Sequence, residues 1–100
     1  PSELDSSKSF MFLNFSLEKI DNLLVYIDKL RENNIICELY PTDTKIKKQM
    51  DYANQRGIDF VVIVGQEELN KNIFKLKDMS NGKESSFDLK NIVSELQNLS

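Results

Sequence analysis

The stretch FVVIVGQEEL, Phe60 to Leu69, runs five apolar residues into one glycine, a glutamine and two acids. With Asp59 ahead of it, DFVVIV is a short unbroken apolar run between Gly57 and Gly65, which predicts a strand buried on both faces. Such a strand needs a layer above it and a layer below. Two more runs of the same kind precede it, SFMFLNF (Ser9 to Phe15) and IICEL (Ile35 to Leu39).

The segments between these strands are helical in pattern. Ser16 offers an N-cap, and Ile20, Leu23, Leu24, Ile27 and Leu30 follow at helical spacing up to Asn33 and Asn34, which suit a left-handed helix end. The second helix is predicted over Thr44 to Arg56, with Ile46, Met50 and Ala53 on one face and Gly57 closing it. In NIFKLKD, Phe74 and Leu76 alternate with Lys75 and Lys77, which predicts a strand covered on one face only. SNGK reads as a hairpin turn centred on Asn81 and Gly82, with ESSFD returning, and DLKNIVSELQNL as a last helix behind a cap at Asp88.

Strand, helix, strand, helix, strand, hairpin and helix make a layered α/β domain. Its sheet has five strands, three parallel through crossovers and an antiparallel hairpin at one side, with about three helices. One hundred residues support one core. The chain begins at Pro1 in a stretch of linker composition, so residues 1–8 are expected to be the remnant of a linker and 9–100 the domain, as a piece of a longer protein.

Charge and chemistry narrow the function. A formal net charge of −3 disfavours indiscriminate coating of nucleic acid but permits a local basic patch. The single cysteine, Cys37, excludes an internal disulfide, fits a reducing compartment, and lies in an apolar run where a buried structural role is expected. No apolar run approaches the roughly 20 residues that cross a bilayer, so no membrane partner is expected. The chain has no histidine, which removes the commonest general base and metal ligand. Three scattered glycines form no phosphate loop. Glu67 and Glu68, adjacent on what reads as an exposed turn, are not spaced as a catalytic acid pair. They do sit where parallel strands end, which is the usual binding edge of an α/β sheet.

Between Lys45 and Arg56, the cations Lys45, Lys47, Lys48 and Arg56 face one acid, Asp51, and the segment starts at a helix N-terminus that favours anions. Lys75 and Lys77 add a second cationic strip. The run IKKQMDYANQRGIDFVVIVGQEELNKNIFKLKDMSNGKE resembles the C-terminal anticodon-binding domain of class II aminoacyl-tRNA synthetases, and among them that of the histidyl enzymes. The pattern is KKQ opening a helix, an alanine one turn on, a basic residue and glycine ending it, a strand closed by G-x-x-E, then KD and a glycine turn. LLVYIDKLRENNI is similar to the family's first helix. Gln66 and the NKN of residues 70–72 depart from that pattern, where the family often has a glutamate and a glycine.

The resemblance implies a three-layer α/β sandwich that grips the tRNA anticodon stem-loop. By motif it assigns Lys47, Lys48 and Gln49 (KKQ), Glu68 (the acid of G-x-x-E), and Lys77 with Asp78 (KD) to that surface, joined by Lys45, Arg56 and Gln66. It implies no catalytic residue, cofactor or metal in this chain. ATP and magnesium would belong to a catalytic domain of the same polypeptide, in a cytoplasmic, homodimeric enzyme. Other readings stay open at this point: a non-charging synthetase paralogue, the threonyl, prolyl or glycyl enzyme, or a small ligand-binding or signalling α/β domain without RNA.

Overall fold

The computed structural model describes residues 8–15 and 20–99. The linker expected over 1–8, apart from Lys8, and the cap expected at Ser16 lie outside the described residues. The elements are β1 (Ser9–Phe12), α1 (Ile20–Glu32), β2 (Ile36–Leu39), α2 (Ile46–Gln55), β3 (Phe60–Ile63), α3 (Gln66–Lys71), β4 (Ile73–Asp78), β5 (Glu84–Asp88) and α4 (Ile92–Leu99), the last entered through a single 3-10 turn at Leu89–Asn91. The sheet runs β2-β1-β3-β4-β5, with β1 parallel to β2 and β3, and β4 antiparallel to both β3 and β5.

The central strand β1 shows why three layers form. Successive side chains leave a strand on opposite faces. Phe10 and Phe12 therefore join Leu23, Ile27, Leu30, Ile92 and Leu96 of α1 and α4, while Met11 and Leu13 join Ala53 of α2 and Val61 on the other face. Each of these side chains is at least nine-tenths buried. On β4, Phe74 and Leu76 enter the first core, which leaves Lys75 and Lys77 on the face that α2 covers only over the other strands. The one-sided cover expected for this strand is what the fold shows.

Two local readings are corrected. A fourth helix, α3, stands where a turn was expected. It has six residues, too few for a hydrophobic period to show, and it forms because Gly65 and Glu68 close its first turn. The hairpin between β4 and β5 is a four-residue loop, Met79 to Gly82, closed by an Asp78 N–H to Lys83 carbonyl bond of 2.8 Å, rather than a turn centred on Asn81 and Gly82. Gly82 occupies its last position with φ 76°, a conformation that a Cβ disfavours.

Strand β2 is one edge of the sheet, where unpaired backbone groups invite another strand. Here Arg31 Nε and Nη2 donate to the Cys37 carbonyl at 3.3 and 3.2 Å and occupy that acceptor. The Cys37 side chain turns inward, with Sγ 3.8 Å from the Ile27 carbonyl. Burial pushes its thiol above the ordinary range, and the Arg31 charge pulls it partly back. Because the native state holds the neutral thiol more firmly than the unfolded chain does, this contribution is complete below the ordinary thiol range and declines as pH rises through it. Alkylation by iodoacetamide at neutral pH is accordingly expected to be slow in the native chain and fast in denaturant. Equal rates in the two states would show that β2 does not shield Cys37.

Candidate nucleic-acid interface

The three parallel strands end together at Phe12, Leu39 and Ile63, and α2 and α3 both begin near that edge. The position of α2 is fixed by one side chain. Gln49 is 0% exposed; its Oε1 accepts from the Asn14 N–H at 2.8 Å, and its Nε2 donates to the carbonyls of Asn14 and Thr44, both at 2.9 Å. The amide thus binds the loop after β1 to the first turn of α2 as a backbone segment would. Gln49 was expected to face RNA; the structure places it in the interior with its amide engaged.

Around that anchor the lysines divide. Lys45 is the N-cap of α2 and makes no side-chain cap bond, and the first turn holds no acid, so nothing on the helix opposes an anion there. Gln49 and Ala53 mark the buried line of α2. Lys48 falls on the flank of Tyr52, whose ring meets Tyr40 edge-on at 5.1 Å on the β2 side, and Lys47 lies one helical step away, exposed on the outer side of α2 in line with Asp51. Arg56 sits at the far end of α2. It donates to the Tyr52 hydroxyl at 2.7 Å, lies 5.4 Å over that ring, and stands 4.0 Å from Glu38 Oε1.

Glu68 is the second departure. It is 8% exposed, not an open turn acid. Its Oε1 accepts the Gly65 N–H at 2.7 Å, the reach-back of a helix residue to its own N-cap. A Cβ on Gly65 would stand 2.9 Å from that oxygen and 3.6 Å from the Phe15 ring, so glycine here is a matter of space and not of backbone angle. The other oxygen, Oε2, lies 3.9 Å from Lys75 Nζ. Glu67 instead takes Lys71, at 2.9 Å on the helix surface, and that contact holds the Glu67 carboxyl below its usual range. Gln66 is exposed and donates to the Asn70 side chain at 3.0 Å.

Lys77 stands opposite Val61 and Glu84 on the uncovered face. Asp78 pairs with Phe60, at the start of β3, and so lies at the opposite edge from Gly65. It accepts from the Ser80 hydroxyl at 2.6 Å and the Ser80 N–H at 2.9 Å, and these bonds lower its carboxyl. The structure therefore gathers Lys45, Lys47, Lys48, Gln66 and Glu68 at one edge, sets Lys77 on the adjoining open face, and places Arg56 and Asp78 toward the other edge. Lys75, the ion partner of Glu68, was not among the residues singled out for the site; its alternation with Phe74 and Leu76 was the available signal.

Among the described residues no group of three or more His, Cys, Asp or Glu gathers to hold a metal, and the glycines stand singly at element ends. What the edge does offer is cations and backbone donors beside an uncovered sheet face, the equipment of a surface that grips a flexible polyanion.

By comparison, the chain matches the family profile described as an anticodon binding domain over residues 17–99, and it belongs to that family. It is 44% identical over 84 residues to the histidine–tRNA ligase of Porphyromonas gingivalis, covering 84% of this chain and 18% of that protein. With the histidine–tRNA ligase of Christiangramia forsetii it shares 37% over 97 residues, 97% of this chain and 21% of the relative. The chain thus spans about a fifth of the length of the curated relatives it matches. Among solved structures, the histidyl-tRNA synthetase of a Nostoc species superposes with a TM-score of 0.82 at 22% identity over 93% of this chain and 22% of that one, which speaks for the fold. The apo enzyme of S. aureus gives 0.75 at 26% identity, over 91% and 26%.

Two substitutions test this construction. Gln49→Ala strands a buried N–H and two carbonyls, and is expected to cost about 3 kcal/mol in urea unfolding. Glu68→Ala removes the acceptor of the Gly65 N–H and is expected to cost about 1–2 kcal/mol, whereas Glu68→Gln, which keeps an acceptor, should recover most of it. Unchanged unfolding midpoints in both alanine variants would mean that neither side chain holds its helix in place.

Proposed function

We infer that this chain is the anticodon-recognition domain of a histidine–tRNA ligase. It holds the tRNA anticodon stem-loop while a catalytic domain of the same polypeptide, with ATP and magnesium, activates histidine and transfers it. The observation that carries the reading is the identity to histidine–tRNA ligases along nearly the whole chain. The physical support is the acid-free first turn of α2 with Lys45, Lys47 and Lys48. Lys47 and Lys48 point to different flanks, so they suit successive phosphates of a curved loop better than one base. Lys77 adds charge on the open face. The same reading makes the complete enzyme a cytoplasmic homodimer, as expected for the family.

Phosphate contacts hold a loop without reading it. Replacing Lys47 and Lys48 together by Ala is expected to weaken binding of a synthetic histidine anticodon stem-loop and of loops with altered anticodons by the same factor. It should also flatten the slope of log K against log salt by about 0.7 for each phosphate that the variant no longer neutralises. A double variant that keeps the original slope would return these lysines to a solvated helix face. The chain alone is expected to give no histidine-dependent exchange of pyrophosphate into ATP, and measurable exchange would overturn the assignment.

A further inference from the structure

We propose that Lys75 is a base-reading residue of this surface, and that with Glu68 Oε2 it forms a donor–acceptor couple matched to a keto base, guanine or uracil. The proposal rests on the anticodon-recognition reading and adds to it the residue and the base chemistry. Its starting point is an ion pair that is incompletely made. At 3.9 Å the Lys75 ammonium and Glu68 Oε2 attract one another but are too far apart to share a hydrogen bond. Among the described residues Lys75 Nζ donates no hydrogen bond and makes no other ion pair, although its charge also acts at longer range on Glu67, so its three donors are unspent.

The two groups differ in freedom, and that difference gives the couple direction. The Glu68 carboxylate is immobilised, because Oε1 is committed to the Gly65 N–H at 2.7 Å and its side chain is only 10% exposed. The Lys75 side chain is 40% exposed and projects from the part of the sheet that no helix covers. Its cross-strand neighbours, Ile63 and Ser86, bring no charge to compete for it. Glu67, the nearest alternative acid in sequence, is already engaged by Lys71. A fixed acceptor beside a reachable donor therefore opens onto the edge where loop phosphates would be held.

Guanine and uracil present a keto oxygen next to a ring N–H, an acceptor beside a donor, and so complete both halves of the couple at once. Adenine and cytosine present an amino group next to a ring nitrogen, the reverse order, and leave the ammonium facing a donor. The genetic code gives the histidine anticodon, GUG, keto bases alone. Glu68 acts in this scheme as acceptor and as the counter-ion that aims Lys75, while Lys75 supplies the discrimination against amino bases.

The test uses histidine anticodon stem-loops in which sulfur replaces the keto oxygen of one anticodon base at a time, as thioguanine or thiouracil, which weakens the acceptor and keeps the ring N–H. Titrated at one salt concentration, the unaltered chain should lose affinity for one of these loops, by about fivefold. Lys75→Met should bind the unmodified loop about tenfold more weakly and be indifferent to sulfur at that same position, with Lys75→Arg restoring the preference. Equal loss by Lys75→Met across all the loops would reduce Lys75 to a phosphate contact, and no loss would reduce it to a structural ion pair; either overturns the proposal and leaves the domain assignment standing. If the unaltered chain binds the histidine loop no better than a loop of unrelated sequence, the anticodon reading itself falls, and this one with it. Thermal melts of both variants near that of the parent chain separate these outcomes from misfolding.

Discussion

The amide of Gln49 is the contact on which the working geometry depends. A helix that follows a parallel strand can rotate or slide on the sheet, since apolar packing is not directional. Three hydrogen bonds to two backbone segments remove that freedom, because each has a required direction and the two to Asn14 are buried. The N-terminus of α2 is thereby held against the end of β1, and the charge of Lys45, Lys47 and Lys48 is carried with it. Without that anchor, Ala53 and Met50 would still favour contact with the sheet, but nothing in their packing would say where the lysines stop.

A comparable device operates at the end of β3. Gly65 has no side chain, Glu68 occupies the space this leaves, and the carboxylate satisfies a backbone donor that the start of a short helix otherwise wastes. The cost of burying that charge is offset by the N–H and by the Lys75 ammonium. Both devices are polar groups in places where a hydrophobic residue would pack as well but would not specify an orientation.

The five strands, their parallel and antiparallel senses and the hairpin at one side were legible because alternation and unbroken apolar runs are direct consequences of which faces are buried. Phe10 through Leu13 and Phe74 through Lys77 announce their faces residue by residue. The third helix was not legible, since six residues with Leu69 as their apolar member carry no period. Gln49 and Glu68 were picked out by motif, and the residue types were informative, but whether a polar side chain turns inward depends on partners distant in the chain. Gln49 meets Asn14 thirty-five positions away, a separation that no local pattern encodes. Lys75 was visible as an outward residue of its strand, yet its pairing with Glu68 appears only once α3 exists to present that acid.

The uncovered half of the sheet also governs how the molecule opens. Strand β1 is sealed between two helical layers, whereas Glu84, Ser85 and Ser86 of β5 are exposed and only Phe87 reaches inward, against Phe74. Hydrogen bonds that little apolar cover protects break in small local excursions rather than in global unfolding. Amide exchange in this fold should therefore grade from a slow centre at β1 to a fast margin at β5. The rigid centre fixes the edge from which the lysines project. The margin, which borders Lys75 and Lys77, is the part of the backbone that can yield at least cost to the shape of whatever lies upon it.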